Sequence, residues 1–146
     1  MNGPVRIILL LALMQFRFIE GNAQPGNSLT VVITDLHNSN GYVLVSLYSQ
    51  AEGFPSESAK AFKKEKVSIN AGSAIASFHN IPMGNFAIAI LHDENNNLKM
   101  DTHLFGIPKE GYGFSNNARA VFGPPSFKKA SFTFNPLQTV KISIRY

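Results

Sequence analysis

Cysteine is absent from all 146 residues, which removes disulfides, thiolate zinc sites, a lipidated N-terminal cysteine and a cysteine nucleophile. There is no Asn-x-Ser/Thr sequon either, so the chain carries no N-glycan acceptor. Charged residues are sparse, 15% against 45% hydrophobic, a balance that suits one globular domain and excludes a disordered polyelectrolyte. Long apolar runs are lacking. The run from Ile7 to Met14 would make a helix of about 12 Å at ~1.5 Å per residue, too short for a hydrocarbon core of about 30 Å. Catalytic patterns are missing as well. Gly-x-Ser-x-Gly does not occur, Ser115 has no nucleophile-elbow context, and the His and acidic residues show no recognised catalytic spacing. Paired carboxylates of the glycosidase kind could be assembled from Asp93, Asp101 and Glu110, but any exposed acidic loop allows that. The sequence therefore predicts a protein that is not an enzyme and has no established cofactor.

What is present begins with an export signal. Arg6 precedes the apolar run, and Gly21-Asn22-Ala23 places small residues at the −3 and −1 positions of a cleavage site. This predicts a signal peptide over residues 1–23 and a single domain over 24–146, with no transmembrane segment after cleavage. An exported domain without disulfides suits a periplasmic or secreted bacterial protein, because small eukaryotic secreted domains tend to be stapled. Loss of Arg6, Arg17 and Glu20 from 13 basic and 9 acidic residues leaves a net charge of +3. Lys60, Lys63, Lys64 and Lys66 form a basic cluster broken by Glu65, without the interleaved aromatics that stack bases. It reads as a solvated face, not a nucleic-acid site.

The rest of the chain alternates as strands do. Leu29, Val31 and Ile33 alternate with Thr30 and Thr34, and Val43, Val45 and Leu47 fall on one face of Tyr42 to Tyr48. Asn40-Gly41 between them is a strong turn signal, so the two segments are expected to form a hairpin. Ser56 to Phe62 reads as a short helical turn. A second hairpin is expected from Lys66–Ile69 and Ala74–His79 across Asn70-Ala71-Gly72-Ser73. Asn85 to His92 is apolar on both faces and should be a central strand. From Asp93 to about Lys129 periodicity fades into Gly, Asn and Pro, a length unusual for a connection and typical of functional loops. Ala130–Asn135 and Thr139–Tyr146 close the chain as strands. The expectation is an all-β fold, a single antiparallel β-sandwich of about seven strands with one long irregular loop and at most a short helix near 56–62.

The candidate site lies at the start of that loop. Asp93, Asn95, Asn97, the carbonyl of Lys99, and Asp101 supply oxygens at positions 1, 3, 5, 7 and 9 of a calcium-type loop. A hard divalent cation wants six to eight oxygens, and a curled segment turns alternate side chains inward to provide them. Two features depart from the pattern. Leu98 stands where such loops prefer Gly, and Leu104 stands where a bidentate Glu would close the shell. Asp35, Glu94 or Glu110 would have to complete it, with an affinity in the weak range of about 10⁻⁴ to 10⁻³ M. The competing reading is that the Asp and Asn residues make Asx-turns in a solvated loop. His92 and His103 flank the loop, but a pair eleven residues apart is a weak transition-metal signal. Farther on, Tyr112 and Phe114 among Gly111, Gly113, Asn116 and Asn117 form a candidate ligand surface for a peptide or sugar. The same two aromatics could equally plug the loop onto the sheets.

These segments also carry a resemblance. His92-Asp93-Glu94-Asn95, Asp101-Thr102, the run from Phe105 to Asn117, and Phe122-Gly123-Pro124-Pro125-Ser126-Phe127 resemble the bacterial exported family known as domain of unknown function 2141. The similarity runs from about Leu29 to Tyr146. It implies an envelope or secreted protein of unassigned activity with an immunoglobulin-like or transthyretin-like sandwich. Phe78 to His92, with its Ile81-Pro82-Met83-Gly84 turn, is similar to a hairpin of transthyretin-like domains, a likeness of fold only. The family typically has Gly where this chain has Asn96 and Leu98, and a Leu forced into left-handed backbone there would cost about 1–2 kcal/mol. Function thus reads first as a non-catalytic binding or accessory module, its loop a candidate for calcium and its partner an envelope protein or a glycan. The rivals are a small envelope enzyme or carbohydrate-binding protein using the 93–117 surface, and an adhesion domain offering a sheet edge.

Overall fold

The computed structural model describes residues 26–146, so the signal segment read at 1–23 lies outside the described residues. The fold is all-β. Eight strands run in chain order: β1 Ser28–Thr34, β2 Tyr42–Tyr48, β3 Lys63–Val67, β4 Ala74–His79, β5 Gly84–Asp93, β6 Tyr112–Phe114, β7 Phe132–Phe134 and β8 Gln138–Ser143. They form two sheets. The smaller has the order β4-β1-β8, and the larger the order β3-β2-β5-β6, with β7 also paired to β5. Leu29, Val31 and Ile33 from one sheet and Val43, Val45, Leu47, Phe86, Ile88 and Ile90 from the other are buried in a single apolar cluster. Burying side chains of this size contributes about 1.5–3 kcal/mol each.

Three expectations are corrected by this topology. β1 and β2 do not make a hairpin, because β1 pairs with β4 and β8 while β2 pairs with β3 and β5. Their apolar faces pack against each other across the core, which alternation alone cannot distinguish from lying side by side in one sheet. The Asn40-Gly41 turn is real, with Gly41 at φ 62°, but it carries the chain between sheets. β3 and β4 likewise belong to different sheets, as do β4 and β5. Finally, the fold is not wholly antiparallel, since β1 and β8 run parallel from Leu29↔Gln138 to Thr34↔Ser143.

β5 is central, as its two apolar faces require. One edge pairs with β2 from Tyr42↔Asp93 to Tyr48↔Ala87. The other edge is shared by two short strands, β7 against Gly84–Phe86 and β6 against Ala89–Leu91. Ser115 fills the gap between them. Its buried hydroxyl accepts from the Ile88 N–H at 2.8 Å and donates to the Ala130 carbonyl, standing in for a missing strand residue. The segment read as one irregular excursion therefore contains β6 and a four-residue helix, α1, Phe127–Ala130, capped by the Ser126 side chain. The short helical turn expected near 56–62 is a single 3₁₀ turn at Ser58–Lys60. Among the described residues no helix is long and apolar enough to cross a membrane.

The larger sheet has a second apolar face. Tyr48, Ala87, Phe114, Ala118 and Ala130 are buried there, with Phe54 and Phe127 packed on them at ring separations of 5.3 Å (Phe54–Tyr48) and 5.8 Å (Phe54–Phe127). This covers one half of the outer face. The other half stays open between two loops.

Candidate functional site

The Asp93–Asp101 loop leaves the end of β5 as a curl centred on a buried carboxylate. Asp93 is 0% exposed, and its two oxygens accept from the Asn97 N–H at 3.1 Å and the Leu98 N–H at 3.0 Å. Asn95 Oδ1 also accepts from the Asn97 N–H at 3.1 Å, and Asn97 Oδ1 accepts from the Lys99 N–H at 3.0 Å. The two carboxamide nitrogens then converge on Asp101 Oδ2, at 2.6 Å from Asn95 and 3.0 Å from Asn97. The structure thus brings Asp93, Asn95, Asn97 and Asp101 together. In this arrangement the Asn oxygens face backbone N–H groups and the Asn nitrogens face the carboxylate. Asn96 and Leu98 both take left-handed backbone, at φ 61° and 64°, so Leu98 occupies a conformation that glycine would adopt without cost.

The carboxylate that closes the loop is Glu110, not a residue at Leu104. Buried beside β5, it accepts from the Glu94 N–H through Oε1 and from the Asp101 N–H through Oε2, each at 3.0 Å. One side chain therefore clamps both ends of the curl. The Asn38 carboxamide adds a bond to Glu94 at 2.9 Å. Among the described residues, no three His, Asp or Glu side chains gather as a group that could hold a metal.

His92 is fully buried and held at both nitrogens. The Asn40 carbonyl at 2.9 Å from Nε2 can only accept, so Nε2 carries a proton, and in the neutral ring Nδ1 accepts from the Tyr146 hydroxyl at 2.6 Å. That hydroxyl also receives the His37 N–H at 3.3 Å, and the His37 ring stacks on Tyr146. Burial, with Glu94 nearby, pushes the Tyr146 phenol above its ordinary value, so it stays a donor. His103 is exposed in the outer loop. Asp35 directly follows β1, where the Ser143 and Thr34 hydroxyls donate to its carboxylate.

The second candidate surface divides. Tyr112 and Phe114 stand on β6 over the larger sheet, where Phe114 is buried and Tyr112 half-buried. Asn116 and Asn117 instead bond to backbone. The Asn116 amide donates to the Ser131 carbonyl at 2.8 Å, and Asn117 Oδ1 accepts from the Ser143 N–H at 3.0 Å.

The open half of the outer face forms a groove of about 720 Å³. Leu44, Ala89, Leu91, Tyr112 and Phe114 contribute its floor, Leu98–Met100 and Phe105–Pro108 one wall, and Ala120–Pro124 the other. Phe105 and Phe122 stand on the rims, 99% and 91% exposed, beside exposed Leu104, Ile107 and Val121. Exposed apolar side chains gathered along one groove are the mark of a binding surface. The first wall falls within the 93–117 surface expected from the sequence, whereas the second, Ala120–Pro124, falls outside every site read there. A signal was present, because Phe105-Gly106-Ile107-Pro108 and Phe122-Gly123-Pro124-Pro125 repeat one Phe-Gly-x-Pro pattern, with both glycines at positive φ.

The model of a family described as an uncharacterized protein conserved in bacteria (DUF2141) matches residues 31–142, a span that takes in both the loop and the groove walls. No curated protein and no solved structure matches the chain.

Proposed function

This chain belongs to the DUF2141 family, whose description states no activity, and from that premise we propose that it is an exported, non-catalytic module binding an apolar ligand in the outer groove. The observation that carries this is the groove itself, about 720 Å³ with exposed phenylalanines on both rims. Its size falls in the range of about 300–1,000 Å³ typical of small-molecule sites. Arg6, the apolar run after it and Gly21-Asn22-Ala23 support export. The Asp93–Asp101 loop supports one wall and is braced by its own hydrogen bonds. A glycan is less well served, because Asn116 and Asn117 are held by backbone and leave Tyr112 with few polar neighbours. An edge-pairing role is opposed by β3, whose exposed lysines blunt the free edge of the larger sheet.

The test is titration with the uncharged apolar dye N-phenyl-1-naphthylamine. Saturable fluorescence that falls at least ten-fold in affinity in Phe105→Asp/Phe122→Asp is the expected result. Both side chains are exposed, so folding should persist. Equal binding by the variant would remove the groove from the proposal.

Calcium is the second reading for the loop, favoured by the meeting of Asp93, Asn95, Asn97 and Asp101 in one curl. Binding would require the Asn95 and Asn97 carboxamides to exchange their contacts with Asp101 for oxygen ligation. A bound ion raises the melting temperature by linkage. No rise at millimolar calcium would dismiss the ion.

A further inference from the structure

Beside the groove lies a smaller pocket of about 240 Å³ lined by Tyr112, Phe114, Ala118, Arg119, Gly123 and Arg145. Tyr112, Phe114, Ala120 and Gly123 line both spaces, so the two adjoin. Two arginines face this pocket, and among the described residues neither is paired with a carboxylate. Arg145 is fixed in place, since Nη2 donates to the Asn117 carbonyl at 2.8 Å and Nη1 reaches the Ala118 carbonyl at 3.5 Å. Its guanidinium keeps further donors free, because it carries five N–H groups. Partial burial first, and then the charge of Arg119, pull Arg145 below its ordinary value, with Tyr112 opposing them. Like charges held together beside a cavity are relieved by an anion, and the planar guanidinium fits carboxylate and phosphate oxygens.

We propose that the groove takes a monomeric amphipathic anion, its carboxylate or phosphate head between Arg119 and Arg145 and its apolar body along the groove toward Phe105 and Phe122. This rests on the groove-binding reading above and adds the ligand's chemical class. Charge and shape point the same way. A free inorganic anion would leave the apolar trough unused, and an uncharged lipid would leave the arginines uncompensated. The arginines line a pocket beside the sheet, whereas a docking surface for a bilayer would present its cations with the apolar rims.

The experiment is calorimetric titration of the full chain with dodecanoate and with dodecyl phosphate below their micelle concentrations, against dodecanol, acetate and inorganic phosphate. Expected are saturable binding of at least one dodecyl anion, at least ten-fold weaker dodecanol, and no binding of acetate or phosphate alone. Whichever dodecyl anion binds more tightly identifies the head group. Affinity should rise about three- to four-fold per methylene along the chain-length series. Arg119→Gln, at an exposed position, should abolish the preference for the anion over dodecanol while leaving dodecanol binding unchanged. Arg145→Gln should do the same, and Arg119→Gln decides the matter if that variant does not fold. Equal binding of dodecanoate, dodecyl phosphate and dodecanol overturns the anion assignment but keeps the groove, whereas binding of none of the three overturns both. Binding to vesicles of anionic phospholipid without binding of monomeric dodecyl anions also overturns the proposal, in favour of a membrane surface.

Discussion

Replacing Glu110 by Ala withdraws both acceptors that clamp the Asp93–Asp101 loop, the Oε1 contact to the Glu94 N–H and the Oε2 contact to the Asp101 N–H, each 3.0 Å long. Hydrogen bonds to a charged partner contribute about 1.5–3 kcal/mol each. Both bonds are only partly buried, so water can reach the freed donors, and the summed loss should fall near the lower bound, about 2–4 kcal/mol. For a domain of this size that lowers the melting temperature on the order of 10 °C. Glu110→Gln separates charge from packing. Its carbonyl still serves one N–H while its amide opposes the other, so about half the loss is expected. Urea unfolding at 25 °C gives the free energies, and amide exchange at Glu94 and Asp101 reports the clamp directly. A loss under about 0.5 kcal/mol in Glu110→Ala, with exchange at both amides unchanged, would refute the claim that this side chain closes the loop.

Gly41→Ala should be among the most destabilising single changes, because the added Cβ would lie 1.9 Å from the Asp93 carbonyl oxygen at a residue with φ 62°. The left-handed backbone alone costs about 1–2 kcal/mol, the clash adds to it, and thermal unfolding measures the sum. Leu98→Gly should act in the opposite direction. It relieves the strain at φ 64°, about 1–2 kcal/mol, against about 0.5–1 kcal/mol of extra unfolded-chain entropy, and the denaturant midpoint should rise. The carboxyl of Asp35 is held below its ordinary value first by the Ser143 hydroxyl, then by the Thr34 hydroxyl, with Lys141 adding. A depressed folded value gives stability that is present above the unfolded value of about 3.9 and is lost as pH falls through the folded one. Asp35→Asn should therefore flatten the acid limb of the stability profile, and a profile identical to that of the parent chain would contradict this.

Strand identity was legible because it is local. Alternation placed β1, β2, β4 and β5 within a residue or two, and the two-faced apolar pattern of β5 gave its central position. Pairing was not legible. Leu29, Val31 and Ile33 face Val43, Val45 and Leu47 across the core, and the same pattern would serve two neighbours in one sheet. β7, Phe132–Phe134, falls inside the strand expected at Ala130–Asn135, but β6, three residues long, is too short to show a period, and the role of Ser115 between them has no local signature.

The site divides on the same line. The sequence by itself determined the all-β class and the oxygen-rich spacing from Asp93 to Asp101. Both are local, because strand period and ligand spacing act over a few neighbouring residues, while the glycine-like backbone at Asn96 and Leu98 was implied by the family resemblance. Only the tertiary structure decided that Glu110, nine residues beyond Asp101, clamps that loop, that Phe105 and Phe122 line one groove, and that Arg119 and Arg145 share the pocket adjoining it. Those relations join residues far apart in the chain, and the packing of two sheets, which no local pattern encodes, brings them together.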